Sequence, residues 1–148
     1  MAMDNDELME RINRYMPPTG ALLGSRVLEI DAEAGRIRMS FEARADFLNP
    51  GGSVQGGFVT AMLDEAAAFA CIAHAGRRIF VPTLELKVSF FAPARVGTLY
   101  AEGRVVKAGR NIAFLEADLT DADGKLLARM TTTAAPRAID MPALVERT

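Results

Sequence analysis

The sequence has little with which to build several common kinds of site. It holds one cysteine, Cys71, and one histidine, His74. A lone cysteine excludes an intrachain disulfide framework and fits a reducing compartment, so a cytoplasmic location is expected. One histidine and one cysteine also make a His-rich metal site or a Cys–His nucleophile pair within one chain unattractive, and no metal is expected. Positive charge is not in excess: 17 Lys and Arg against 19 Asp and Glu give a net charge of −2. Nothing in that balance suggests a nucleic-acid footprint. The acidic start, Met1-Ala-Met-Asp-Asn-Asp6, lacks the basic and apolar regions of a signal peptide. There is no internal repeat and no low-complexity segment. With 148 residues, the chain has the length of one domain with a real core.

Long apolar runs are also scarce, with one exception. From Gly56 to Gly76 the chain is almost wholly apolar and close to the ~20 residues a bilayer requires. Asp64 and Glu65 stand side by side in its middle, where two carboxylates would be costly in lipid. The expectation is therefore a buried helix in a soluble protein, with no membrane partner.

The rest of the chain organises around that helix. Leu8, Ile12 and Tyr15 fall at helical spacing after an acidic start, predicting a short amphipathic helix that Pro17-Pro18 stops. Residues 27–31 and 36–41 read as two strands joined by a turn at Asp31-Ala-Glu-Ala-Gly35. In the second, Ile37, Met39 and Phe41 alternate with polar neighbours, the mark of a sheet with one covered face. A glycine-rich loop, Asn49-Pro-Gly-Gly-Ser-Val-Gln-Gly-Gly57, enters the long helix. Strands are expected over 84–90, 99–107, 111–120 and 125–134, with turns at Gly109-Arg110 and Asp121-Ala-Asp-Gly124. A nearly all-apolar helix needs cover, and a curved antiparallel sheet wrapped around it supplies that. The class is α+β. The expected boundaries are residues 1–20 for an N-terminal helix and connector, 21–135 for the main domain, and 136–148 for a tail.

The loop and helix together, from Asn49 to Asp64, resemble the active-site segment of hotdog-fold thioesterases of the phenylacetate-pathway (PaaI-like) branch. In that branch an Asn precedes a His-Gly-Gly by six positions, and a helical Asp or Glu follows the His by nine. Here Asn49, Gly56-Gly57 and Asp64 take those places. Residues 82–94, 101–106 and 121–128 are also similar to the branch, and the resemblance runs over roughly 22–133. It implies a hotdog fold and acyl-CoA hydrolysis. The sequence departs from the pattern at Gln55, which stands where the family commonly has His. A glutamine can donate a hydrogen bond or orient the loop, but it cannot carry a proton.

Thioester hydrolysis needs donors for the carbonyl oxygen and a carboxylate that activates water or attacks directly. The first amides of the long helix have no intrahelical acceptors, and glycine at Gly56 permits close approach. The resemblance points to the same Gly56 amide. Asp64 is the candidate base or nucleophile. An ionised group in the middle of an apolar helix is expensive unless paired, hydrated or used. The resemblance adds Thr83, which aligns with a Ser or Thr that holds the attacking water in some relatives. Asn49 either hydrogen-bonds the thioester or braces the Gln55 loop. For the CoA phosphates, Gly57, Lys107 and Arg110 are candidates, with Arg77 and Arg78 also available. No cofactor is expected, coenzyme A being part of the substrate.

Gly56 and Asp64 are eight positions apart, about 12 Å along a helix axis, whereas groups acting on one carbon must lie within ~3 Å of it. Two helices related by a twofold axis resolve this, so a homodimer with shared sites is expected, assembling to a tetramer. Plainer roles stand beside these. Asp64 can be a paired structural acid, Glu65 a structural or interface acid, Thr83 an ordinary strand residue, and the basic groups a solvated face. Two other functions compete with hydrolysis. One is a non-catalytic acyl-CoA-binding module, and the other is hydration or dehydration of an acyl thioester. Phe58, Met62, Phe69, Phe90 and Phe91 are candidates for an acyl pocket or for the core.

Overall fold

The computed structural model describes residues 3–139, and most of the expected tail, residues 140–148, lies outside them. Helix α1 spans Asn5–Arg14, and its N-cap Asp4 accepts from the Glu7 amide at 2.8 Å. It lies along the first strand, β1 (Arg26–Asp31). The Asn13 side chain exchanges two hydrogen bonds with the Val27 backbone, at 2.8 and 2.9 Å, standing in for a neighbouring strand. Proline does more than stop α1. Pro18 opens a second short helix, α2 (Pro18–Leu23), which the sequence pattern does not announce. At the first helical position proline loses no hydrogen bond, so one Pro-Pro pair ends one helix and begins the next.

Strand β2 (Arg36–Ala43) follows, then a 3-10 turn at Ala45–Phe47 and the long helix α3 (Gly56–Ala75). The two-residue β3 (Ile79–Phe80) precedes β4 (Thr83–Phe90), β5 (Gly97–Ala108), β6 (Ala113–Thr120) and β7 (Leu126–Ala134). Strand β8 (Arg137–Ala138), at the start of the expected tail, pairs with β3. The six longer strands form one antiparallel sheet in the order β1-β2-β5-β6-β7-β4. Bulges interrupt the register in β1, β4 and β5, and such bulges bend strands.

Helix α3 crosses one face of this sheet, over β2, β5, β6 and β7, which is the α+β hotdog arrangement expected. It is long and apolar enough to span a membrane, but Met62, Leu63, Ala66, Ala67 and Ala70 are sealed in the core. Its fit is unusually close at Gly103 of β5, where an added Cβ would stand 2.2 Å from the Ala66 carbonyl oxygen. Alanines of α3 therefore sit almost directly on strand backbone.

Strand β4 departs from the pattern of one covered face. It is an edge strand, and Leu84 is 59% exposed, Leu86 36% and Phe90 55%. Its apolar alternation is real, but among the described residues little of this chain covers it. Uncovered apolar edges are the features that proteins otherwise shield.

Candidate active site at the start of the long helix

The loop from Asn49 to Ser53 is closed by one side chain. Asn49 Oδ1 accepts from the amides of Gly51 (3.0 Å) and Ser53 (3.2 Å), and Nδ2 donates to the Ser53 hydroxyl at 3.0 Å. Asn49 is thus a loop brace with one Nδ2 proton left over. The loop delivers Gln55 to the N-cap of α3. Its backbone amide donates to the Phe47 carbonyl, and its Oε1 accepts from the Gly57 amide at 2.7 Å. Gln55 therefore serves through its oxygen, as a cap, rather than through a proton. The Gly57 amide, expected near coenzyme A, is spent on this cap. The Gly56 amide, one residue earlier, has no acceptor among the described residues. A free N–H at the positive end of a 20-residue helix is a ready donor for a developing oxyanion.

Gly56 opens onto a cavity of about 390 Å3, lined also by Asn49, Val59, Phe90 and Phe91. Of the five candidate pocket residues, only Phe90 and Phe91 line it. Phe58 stacks on Phe47 at 4.3 Å between ring centroids, and Met62 is wholly buried.

Asp64 lies two turns along α3, half-buried, and accepts from the Thr83 hydroxyl at 2.9 Å across the start of β4. The structure thus joins Thr83 to Asp64 and Asn49 to Gly56, as two separate halves. Asp64 does not line the Gly56 cavity. Lys107 and Arg110 are exposed at the β5–β6 turn. Val105 and His74 both crowd Gly35, which puts that turn at the far end of α3, ~28 Å along the axis from Gly56 of the same chain. The exposed Arg77 and Arg78 stand at the same end, just after α3. Among the described residues no three His, Cys, Asp or Glu side chains gather as metal ligands.

Glu65 turns the other way from Asp64, toward α2, and only the structure shows where it goes. Its Oε1 is 2.7 Å from where a Cβ on Gly20 would stand. Neither carboxyl oxygen, nor the nearby buried Ser25 hydroxyl, has a hydrogen-bond partner among the described residues. Burial pushes the Glu65 carboxyl up to about 7, and the charge of Asp64 adds to the shift.

This makes a stability prediction. At pH below 4.5 the group is protonated both folded and unfolded, and burial carries no charge penalty. Between 4.5 and 7 the unfolded chain ionises first, so stability falls as pH rises, by at most about 3 kcal/mol. Solvent reaching part of the group reduces this to about 1–2 kcal/mol. Glu65→Gln is expected to be more stable than the native chain at pH 8 by that amount and nearly equal to it at pH 4.5. Thermal melts of both proteins across this range check it, and equal melts at pH 8 would refute it.

A sequence profile of the thioesterase superfamily matches residues 51–128. A candidate esterase of Saccharolobus solfataricus is 31% identical over 100 residues, covering 68% of this chain and 71% of that protein. A crystal structure of a candidate thioesterase, a phenylacetic acid degradation-related protein of Ralstonia eutropha, is 35% identical with a TM-score of 0.76, covering 86% of this chain and 98% of that one. A mutant form of the phenylacetic acid degradation protein PaaI of Thermus thermophilus is 28% identical with a TM-score of 0.70, covering 80% of this chain and 98% of that one.

Proposed function

Because the chain belongs to the thioesterase superfamily, we propose that it hydrolyses acyl-CoA to a free acid and coenzyme A, at sites shared by two subunits. The observation that carries this reading is the Gly56 amide, without an acceptor among the described residues, in a cavity that no carboxylate among them lines. The carbonyl oxygen of the thioester accepts from Gly56 N–H. Asp64 of the partner subunit takes a proton from water as the water oxygen attacks the carbonyl carbon, or attacks that carbon itself to form a mixed anhydride that water then hydrolyses to the free acid and the restored carboxylate. On either route the C–S bond breaks after the first attack, and the thiolate leaves to be protonated as free coenzyme A. In this reading Thr83 orients the carboxylate through their hydrogen bond.

Three features support the pairing of subunits. The edge of β4 is apolar and uncovered. Gly57, Ala61, Asp64 and Ala68 make one stripe of α3, at three- and four-residue spacing, that is exposed or half-buried and mostly small. The midpoint between Gly56 and Asp64 is residue 60, so a twofold axis beside Thr60 and Ala61 sets each Gly56 against an Asp64. The basic end of each α3 then lies ~16 Å beyond its Asp64, on the side where the phosphates of coenzyme A need partners. We place this activity in the cytoplasm and assign it no cofactor, coenzyme A being part of the substrate.

Release of free thiol from short, medium and aryl acyl-CoAs tests the reaction. Release is expected. Its absence across the panel, with acyl-CoA still bound, would turn the reading to a non-catalytic acyl-CoA-binding module. Ala61→Arg tests the shared site, because it sets two bulky like charges facing each other at the axis and Ala61 is exposed in the single chain. The expected result is a folded monomer in sedimentation, with thiol release reduced ~100-fold or more. A folded, fully active monomer would refute shared sites.

A further inference from the structure

The space directly over Gly56 is occupied by an aromatic ring. A Cβ added to Gly56 would meet Phe90 Cζ at 3.2 Å, Cε1 at 3.5 Å and Cε2 at 3.9 Å, so the tip of the ring stands one carbon's breadth from the glycine. Phe90 is otherwise 55% exposed at the end of β4, an unusual place for a phenyl group to be held so near a backbone. The ring and the glycine line the same cavity as Asn49 of the braced loop. An acceptor that reaches the Gly56 amide through this cavity therefore passes the ring and the braced loop that line it.

We propose that Phe90 is a specificity-determining residue that excludes acyl groups branched at the carbon next to the carbonyl. This rests on the thioesterase reading, in which the carbonyl oxygen sits on Gly56 N–H. With the oxygen there, the carbonyl carbon lies one bond away and its α-carbon two. A methyl on the α-carbon projects out of the plane of the thioester. The ring tip already leaves no comfortable room for a single added carbon on Gly56, so the space beside it suits a straight or planar aryl group better than an out-of-plane methyl. Phe91, 57% exposed and lining the same cavity, is not among the atoms nearest a Cβ added to Gly56, and we assign it no such limit.

The test compares butanoyl-CoA, 2-methylpropanoyl-CoA and 2,2-dimethylpropanoyl-CoA with the native protein, Phe90→Leu and Phe90→Ala, and with Phe91→Ala, whose effect on rate should fall equally on branched and unbranched substrates. The native protein should favour the unbranched thioester. In Phe90→Ala the ratio of kcat/KM for branched over unbranched substrate should rise about tenfold or more, the usual effect of opening room for one methyl. Phe90→Leu should give a smaller rise and Phe91→Ala none. The same ratios are read as Kd values with ketone analogues in which CH2 replaces the thioester sulfur, which keep the carbonyl and cannot be hydrolysed. A shifted Kd ratio without any hydrolysis would uphold the role of Phe90 while overturning the thioesterase reading. An unchanged ratio in both measurements, with the variants folded by thermal melt, would overturn the role of Phe90 whatever becomes of hydrolysis.

Discussion

Replacing Asp64 by Asn is expected to reduce kcat for acyl-CoA hydrolysis by about 100-fold or more, with KM nearly unchanged and the protein fully folded. The substitution is well posed because so little else changes. Asparagine keeps the size of the side chain and keeps an Oδ1 that accepts the Thr83 hydroxyl, now made at 2.9 Å. The position is only half-buried, so no buried charge is exchanged for a void. What disappears is the capacity to take a proton or to form a bond to the acyl carbon. Loss of a general base costs roughly 10²–10⁴ in rate, and a change confined to the transition state lowers kcat and kcat/KM together. Thr83→Ala gives the contrast. It removes a hydrogen bond that orients the carboxylate but leaves the base, so a loss of about tenfold or less is expected. If Asp64→Asn stayed within threefold of the native rate while Thr83→Ala lowered the melting temperature, the Asp64–Thr83 pair would be a structural tie. The base would then have to be sought elsewhere.

How much of this is legible in the sequence depends on how far each signal reaches along the chain. Helix α3 announces itself because one glycine-rich loop opens it, Gly76 in the left-handed conformation (φ 61°) closes it, and apolar residues fill nearly all the space between. Asn49, Gly56 and Asp64 can be singled out because their spacing is local. What each does is less visible. Gln55 invites attention as a hydrogen-bond donor, yet it acts as an acceptor, a role set by the geometry of the helix start rather than by residue type. Helix α2 hides behind Pro17-Pro18, since the pair that signals a stop also suits a start. Strands β3 and β8 have two residues each, too few for any period to show. The place of β4 cannot be read at all. It precedes β5 in the chain but pairs with β7 at the far edge, a choice made by contacts some 45 residues apart. Its alternation suggests one covered face, whereas among the described residues Leu84 and Phe90 of that face stay exposed and Val88 alone of the four packs on the core. Glu65 shows the same limit, because Gly20, one of the residues its carboxyl is packed beside, is 45 positions away.

Gly103 gives the strongest long-range demand of this kind, and Gly103→Ala is expected to be the most damaging one-carbon substitution in the sheet. A methyl group there would lie 2.2 Å from Ala66 O, 2.5 Å from Ala66 C and 3.0 Å from Ala67 N. All three are backbone atoms of a helix whose hydrogen bonds leave them no freedom to step aside. To reach ordinary contact, α3 must lift by about 1 Å from β5, loosening Ala66, Ala67 and Ala70 from a core in which each is fully buried. Overpacking costs typically 1–3 kcal/mol when side chains can adjust. Here the obstacle is main chain, and about 3 kcal/mol or more is expected. For a chain of this length that lowers the melting temperature by roughly 6–12 °C. The clash also makes a prediction about rescue. Because the carbonyl and not a methyl is struck, Ala66→Gly in the Gly103→Ala background should restore almost nothing. Substantial recovery of the melting temperature in the double variant would mean that side-chain crowding, rather than the approach of helix backbone to strand, governs this contact. Activity should fall with stability, since the lifted turn carries Asp64 with it. A lone glycine inside a strand commonly marks such a close approach, so the signal is present in residues 101–106. What the sequence does not say is which element comes close, and that element is the helix bearing the candidate base.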